Sequence, residues 1–437
     1  MKITGYISQP EKNLYMQSVT PFESKKDDFG ESAILGVITQ LERQTLLGFG
    51  GAFTEAAGYC FDKLSEDEKK KFIKEYFSED GLNYSFCRTH IGSCDFSLGN
   101  YDYSEKPDLS DFDISRDENY LIPLIKAALN ERKNLPTNIL ASPWSPPPYM
   151  KDTRRKNRGG KLEKEYYGIW ADYIVRYLEE YDKNGIYIWG VTAQNEPKAT
   201  LPWDTCVFTP EEEGDFIFGY LAPALKKIDR KVMFWDHNKD RIVERAEAVL
   251  KRGGADNLFG IACHWYTGDH FGQISAFREI YPNLLVIPTE CCNRFGGGMY
   301  LLDNAERYAH DIIGDINAGA SAYIDWNILL DENGGPNHVN NVCEAPVMSQ
   351  NDGKASYKPA FYYIGHFSRF IKPNAKVVAT SRYTDKLEIL AAKNPDGKYV
   401  AVILNRGNED LPFTLRINGE NAESVAPRHS LQTLIIE

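Results

Sequence analysis

Residues Ile186-Tyr187-Ile188-Trp189-Gly190-Val191-Thr192-Ala193-Gln194-Asn195-Glu196-Pro197 decide how the rest of the chain is read. The first half is apolar and rich in β-branched and aromatic side chains, which predicts a buried strand. It closes on Asn-Glu-Pro, and proline has no N–H with which to continue a ladder. A carboxylate with an amide beside it is thus delivered at the C-terminal end of an interior strand. That is the end at which a (β/α)8 barrel carries its chemistry. Taken alone, the tripeptide reads equally well as a glutamate at a solvated strand end, so its neighbours in the chain decide.

Working outward, strand-like runs fall at 46–53, 84–91, 138–143, 187–193, 232–236, 260–266, 284–290 and 322–330. Helical patterns separate most of them. Ser65-Glu66-Asp67-Glu68 has an N-cap serine and the acidic first turn that a helix dipole favours. Thr209-Pro210-Glu211-Glu212-Glu213 is a second start signal. Tyr166, Ile169, Trp170, Tyr173, Ile174 and Tyr177 recur at helical spacing and form a packing stripe, not a ligand box. Eight strands alternating with helices predict an α/β fold, a (β/α)8 TIM barrel over 46–372. Residues 1–45 and 373–437 lack the helical alternation. They carry short strand patterns, with Asp396-Gly397 as a hairpin signal, and are expected to build one attached β-sandwich from both chain ends.

The 437 residues are too many for one ordinary core and suit a barrel plus a smaller domain. A net charge of −12 argues against a nucleic-acid partner. No run is long enough to cross a membrane as a helix, so no stable membrane insertion is expected. The N-terminal stretch Met1 to Pro10 lacks a signal-peptide core, which leads to a cytoplasmic expectation. The eight cysteines are scattered without metal spacing and are expected to be reduced core residues. No H-E-x-x-H occurs, so neither metal nor other cofactor is expected.

Polar residues gather at the predicted strand ends: Arg88 and Asp95, Ser142 to Ser145, Asn195 and Glu196, His264 to Tyr266, Glu290, and Asp325 to Asn327. In a barrel these ends converge on one mouth. Carboxylates, indoles and hydrogen-bonding groups around one cavity suit a sugar, and glycosidic cleavage needs one protonated and one ionised carboxyl. Glu196 and Glu290 supply such a pair from different strands. The alternatives are wall packing for the tryptophans and a structural ion pair for Asp95 with Arg88.

The segments Gly48-Phe49-Gly50-Gly51-Ala52-Phe53-Thr54-Glu55-Ala56, Ser93-Cys94-Asp95-Phe96-Ser97 and Ala141-Ser142-Pro143-Trp144 resemble glycoside hydrolase family 30. So do Thr192 to Pro197, His264-Trp265-Tyr266 and Asp325-Trp326-Asn327, all in the family's order. The likeness is nearest to its glucosylceramidase (acid β-glucosidase) branch. It implies a (β/α)8 barrel with a β-sandwich and a retaining β-glycosidase acting on a β-linked sugar. It also implies Glu196 as general acid/base and Glu290 as nucleophile. Asp95, Trp144, Asn195, His264, Trp326 and Asn341 would line the sugar site, with Tyr266 beside the nucleophile. Glu196 is then expected to have a raised pKa, from burial and the charge of Glu290.

β-Glucosidase is the leading reading. β-Xylosidase, β-fucosidase and β-1,6-glucanase keep the mechanism and change the sugar. A carbohydrate-binding protein without catalysis is the reading from another class, disfavoured by retention of both glutamates. The basic run from Lys151 to Lys161 is expected to be a solvated loop, with an aglycone-facing role as the alternative. Oligomeric state is left open.

Overall fold

The computed structural model describes residues 1–437 apart from Ser32, Asn257 and residues 296–300. The barrel strands are Gly48–Phe53, Phe86–Ile91, Asn138–Pro143, Gly190–Thr192, Lys231–Asn238, Gly260–His264, Leu285–Glu290 and Ala322–Asn327. They form one parallel eight-stranded sheet in which the eighth strand pairs with the first. Closure onto the seventh runs through Ser321 N–H to the Val286 carbonyl and Trp326 N–H to the Cys291 carbonyl, both at 2.9 Å. Each strand sits close to its predicted run, because buried parallel strands read as continuous apolar segments.

Four strand ends differ, the fifth strand running on to Asn238, two residues past its predicted run. The fourth ladder spans only Gly190–Thr192, and the chain turns away before Pro197 because Glu196 adopts φ 45°. The sixth stops at His264, leaving Tyr266 39% exposed on the following loop. The eighth stops at Asn327, and Leu330–Asp331 joins Val347–Ser349 and Ala355–Tyr357 in a separate three-stranded sheet.

The helices form where local signals place them. Ser65 Oγ accepts from Glu68 N–H, and Thr209 with Glu212 completes a capping box. Helix Tyr167–Lys183 buries Tyr167, Trp170, Tyr173, Ile174, Tyr177, Leu178 and Tyr181 against the barrel, while Tyr166 and Ile169 are only partly buried.

Both chain ends build a ten-stranded sheet. The N-terminal strands Lys2–Gln9 and Ile34–Thr45 are interleaved with C-terminal strands such as Lys376–Arg382 and Ser430–Ile436. Strands Leu411–Ile417 and Glu420–Ala426 were not anticipated, although in the first of them buried Phe413, Leu415 and Ile417 alternate with Thr414 and Arg416, the period-two signal of a half-buried strand. The sheet folds over a core of Ile3, Leu35, Ile389, Ile403, Leu415 and Ile436. Alternate residues Leu390, Val402 and Leu431 join the barrel's core instead, so the strand period of two fastens the two domains together. At that seam His366 is buried between Ser8 and Thr433 hydroxyls, and burial pushes its pKa down to about 3.

Candidate active site

The C-terminal strand ends surround a cavity of about 930 Å³, lined by Asp95, Trp144, Asn195, Glu196, Tyr266, Glu290, Trp326 and Asn341 among others. Eight of the nine residues expected at the site line it directly. His264 sits in its floor, fully buried beneath the two glutamates. One carboxylate oxygen of Glu196, one of Glu290 and a ring nitrogen of His264 all lie within 4.8 Å of one another.

Arg88 organises this floor. It lies inside the second strand, fully buried, and its guanidinium donates to Ser142 Oγ (3.1 Å), Glu290 Oε2 (2.7 Å), Asn195 Oδ1 (2.7 Å) and Asp236 Oδ2 (2.8 Å). Only a planar fork of five donors can serve four partners on three further strands and the end of a fourth. The alternative reading of Asp95, a structural ion pair with Arg88, does not hold. Asp95 instead accepts from Asn341 Nδ2 at 2.8 Å. Burial, then the charge of Glu290, push the Asp95 pKa up to about 8.

Asp236 is the floor residue that sequence reading passed over, although it too is a carboxylate at a strand's C-terminal end. Trp235 and Asp236 both have positive φ (73° and 52°), and the ladder to the sixth strand slips there, a β-bulge. The bulge is held from outside, where Glu213 accepts from Trp235 N–H (2.9 Å) and from Arg245 Nε (2.7 Å). It turns Asp236 inward to accept from Arg88, from Thr192 and Thr289 hydroxyls, and from His264 Nε2 (3.0 Å). Burial opposes its ionisation, but the Arg88 charge and these donors hold its carboxyl far below the usual range.

His264 therefore has Asp236 behind it and Glu196 in front, with Nδ1 3.3 Å from Glu196 Oε1. Burial pushes its pKa down, but the Glu290 charge and the two carboxylate contacts outweigh that and raise it to about 9. The expectation of a raised Glu196 pKa is corrected. Burial does push it up, yet the His264 hydrogen bond and the nearby His237 ring bring it below the ordinary value. His264 was expected at the mouth, but the approach of His237, which directly follows the predicted fifth strand, was not foreseen. The raised pKa of His264 and the lowered pKa of Glu196 favour a proton on the imidazole, with Nδ1 3.3 Å from Glu196 Oε1. A protonated imidazole is a poor metal ligand, so the three-group cluster reads as a proton-sharing ion cluster.

Glu290 is gripped from both sides, by Arg88 on Oε2 and by Tyr266 Oη donating to Oε1 at 2.9 Å. Such a grip fixes the orientation of the carboxylate. Trp144 and Trp326, 1% and 2% exposed, stack on each other at 5.3 Å and flank Arg88. They are walls packed against the cation rather than open platforms. The partly exposed indole lining the cavity is Trp203, on the loop after the fourth strand, which sequence reading did not single out.

The basic run is a structural knot. Lys151 Nζ is buried and donates to Ser145 Oγ and to the carbonyls of Lys156, Gly159 and Thr205. Arg154, Lys156 and Lys161 pair with Glu163, Asp102 and Glu212. None of residues 151–161 lines the cavity.

Two family models cover the chain: the glycosyl hydrolase family 30 TIM-barrel domain over residues 46–371, and the family 30 beta sandwich domain over residues 374–434. The chain belongs to glycosyl hydrolase family 30. It is 35% identical over 434 residues to lysosomal acid glucosylceramidase of Mus musculus, covering 93% of this chain and 84% of that one. It is 27% identical over 423 residues to endo-1,6-beta-D-glucanase BGN16.3 of Trichoderma harzianum, covering 90% and 84%. Among solved structures, SrfJ from Salmonella typhimurium superposes with a TM-score of 0.95 at 36% identity, covering 100% of this chain and 99% of that one. The family 30 protein is thus a glycoside hydrolase of the β-glycoside-cleaving, retaining kind. Among the described residues no helix is long and apolar enough to cross a membrane.

Proposed function

We propose that this family 30 enzyme is a β-glucosidase in which Glu290 is the nucleophile and Glu196 the general acid/base. The observation that carries the reading is the approach of their carboxylate oxygens to within 4.8 Å. Retaining pairs stand about 5–5.5 Å apart, whereas inverting pairs leave roughly 6.5–9.5 Å for a water. Glu290, aimed by Arg88 and Tyr266, attacks the anomeric carbon. Glu196, drawing on the proton held at His264, protonates the departing oxygen. Water then enters, Glu196 takes its proton, and Glu290 is released. Asn195, held by Arg88, binds the sugar 2-hydroxyl, while Asp95 and Asn341 offer a paired acceptor and donor to other hydroxyls.

Glucose as the sugar rests on the glucosylceramidases among the relatives. A β-1,6-glucanase is the second reading. It is favoured by a cavity whose volume exceeds a single sugar ring and by the fungal relative. A cytoplasmic site is supported by eight cysteines that are all unpaired.

The test is a 2-fluoro-β-glucoside with an activated leaving group. It should label Glu290, and NMR during turnover should show the β-anomer of glucose appearing first. An α-anomer, or a label on another carboxylate, defeats the assignment. Faster turnover of β-1,6-linked oligosaccharides than of aryl glucosides would favour the second reading.

A further inference from the structure

The wall of the catalytic cavity contains a pair of thiols that the proposed chemistry does not use. Cys292 and Cys343 both line the cavity, 9% and 6% exposed; the other six cysteines are 0–1% exposed. Their sulfurs lie 3.5 Å apart, in van der Waals contact. They are brought together by backbone pairing between the loops after the seventh and eighth strands. Glu344 N–H donates to the Asn293 carbonyl (2.8 Å) and Phe295 N–H to the Val342 carbonyl (3.3 Å), around a bridge between Arg294 and Cys343.

We propose that Cys292 and Cys343 form a dithiol modification site that closes to a disulfide when a peroxide enters the cavity, reversibly switching the enzyme off. The sulfurs need to approach by about 1.5 Å to reach the disulfide length of about 2.05 Å. One thiolate attacks a peroxide oxygen and breaks the O–O bond, giving a sulfenic acid and a hydroxide that takes up the proton the thiol lost. The second thiol then attacks that sulfur, the S–O bond breaks, and water leaves with its proton. Two thiols and one hydrogen peroxide thus become one disulfide and two waters. The first attack requires thiolate, and contact with Cys343 together with burial holds the Cys292 thiol well above its usual range. Closure is accordingly faster at alkaline pH.

The site is wired to both halves of the catalytic centre. Tyr266 Oη lies 3.3 Å from Cys292 Sγ and 2.9 Å from Glu290 Oε1. Two residues before Cys343, Asn341 donates to Asp95. Drawing the sulfurs together removes the Tyr266 partner and pulls on the Asn341 loop. Disulfide formation stands independently of the proposed roles; its effect on turnover rests on Glu290 being the nucleophile.

The experiment exposes reduced, full-length enzyme to hydrogen peroxide at pH 8, stops it with catalase, and alkylates free thiols after denaturation. Peptide mass spectrometry should find Cys292 linked to Cys343 and the other six cysteines alkylated. In parallel, kcat/KM on 4-nitrophenyl β-glucoside should fall about tenfold, the effect of disturbing one hydrogen bond to a charged group, and return with dithiothreitol. Cys343→Ala, compared with its own untreated control, should keep its activity under the same exposure. Absence of the linked peptide, or sulfinic acid at either sulfur without linkage, overturns the site. A linked peptide with undiminished turnover overturns the switch. Equal loss of activity in Cys343→Ala assigns inactivation elsewhere and overturns it as well.

Discussion

Replacing Asp95 by asparagine should make the protein more stable and less active, by an amount that depends on pH. Asp95 is 4% exposed, and burial with the Glu290 charge raises its pKa from 3.8 to about 8. The unfolded chain releases this proton near pH 4, while the folded chain keeps it until near pH 8. Between those values the folded state binds the extra proton, so stability falls as pH rises through the window. At roughly 1.4 kcal/mol per unit, the cost is about 2 kcal/mol at pH 5 and on the order of 5 kcal/mol at pH 8. Asparagine does not titrate, and its amide oxygen can still accept from Asn341. The stability advantage of Asp95→Asn should therefore grow by about 3–4 kcal/mol from pH 5 to pH 8. For a chain of this length that is roughly 1 °C of melting temperature per kcal/mol, hence about 3–4 °C. Differential scanning calorimetry of both proteins across that range measures it. Activity should move the other way, with kcat/KM down about tenfold or more from loss of a carboxyl partner for a sugar hydroxyl. A melting difference that is constant, or that narrows as pH rises, refutes the buried raised carboxyl.

Glu196→Gln should nearly abolish cleavage of alkyl glucosides but spare glycosylation by activated aryl glucosides, which leave without a proton. Azide should then restore turnover as a β-glycosyl azide, and equal loss on both substrate types would exclude the acid role. With His264 at about 9, wild-type activity on poor leaving groups should decline as pH rises through 9, where the shared proton is lost. His264→Gln should abolish that limb; a pH–rate profile left unchanged would remove His264 from proton delivery. Arg88→Lys cannot reproduce four directed donors, so the buried Asp236 and Glu290 lose partners. Destabilisation of about 3–5 kcal/mol in urea melts is expected, and a loss below 1 kcal/mol would show that the floor does not depend on the fork.

The barrel was legible because its signals are local. A buried parallel strand is a short apolar run, a helix start is a serine or threonine before acidic residues, and each can be read within a few positions. Ser65, Thr209 and the Tyr167–Tyr181 stripe behave as their neighbours in sequence demand. Of the two polar-faced strands that were missed, Leu411–Ile417 does alternate apolar and polar residues, whereas Glu420–Ala426 buries only the small Ala422 and Ala426 and so carries little apolar signal.

The carboxylates at strand ends could likewise be named in advance, since a barrel brings all its C-terminal ends to one mouth. What they do to one another could not. The sequence by itself determined that Glu196 and Glu290 would share a cavity. Only the tertiary structure decided that Arg88 serves Glu290 and Asp236 instead of Asp95, and that a bulge turns Asp236 beneath His264. It likewise decided that His264 Nδ1 lies 3.3 Å from Glu196 Oε1, lowering that carboxyl's pKa instead of raising it, and that Cys292 meets Cys343 across 51 positions. Charge state and pairing are set by distances of a few ångströms between residues far apart in the chain. Coulomb and hydrogen-bond energies change severalfold over that range, and no local pattern encodes them.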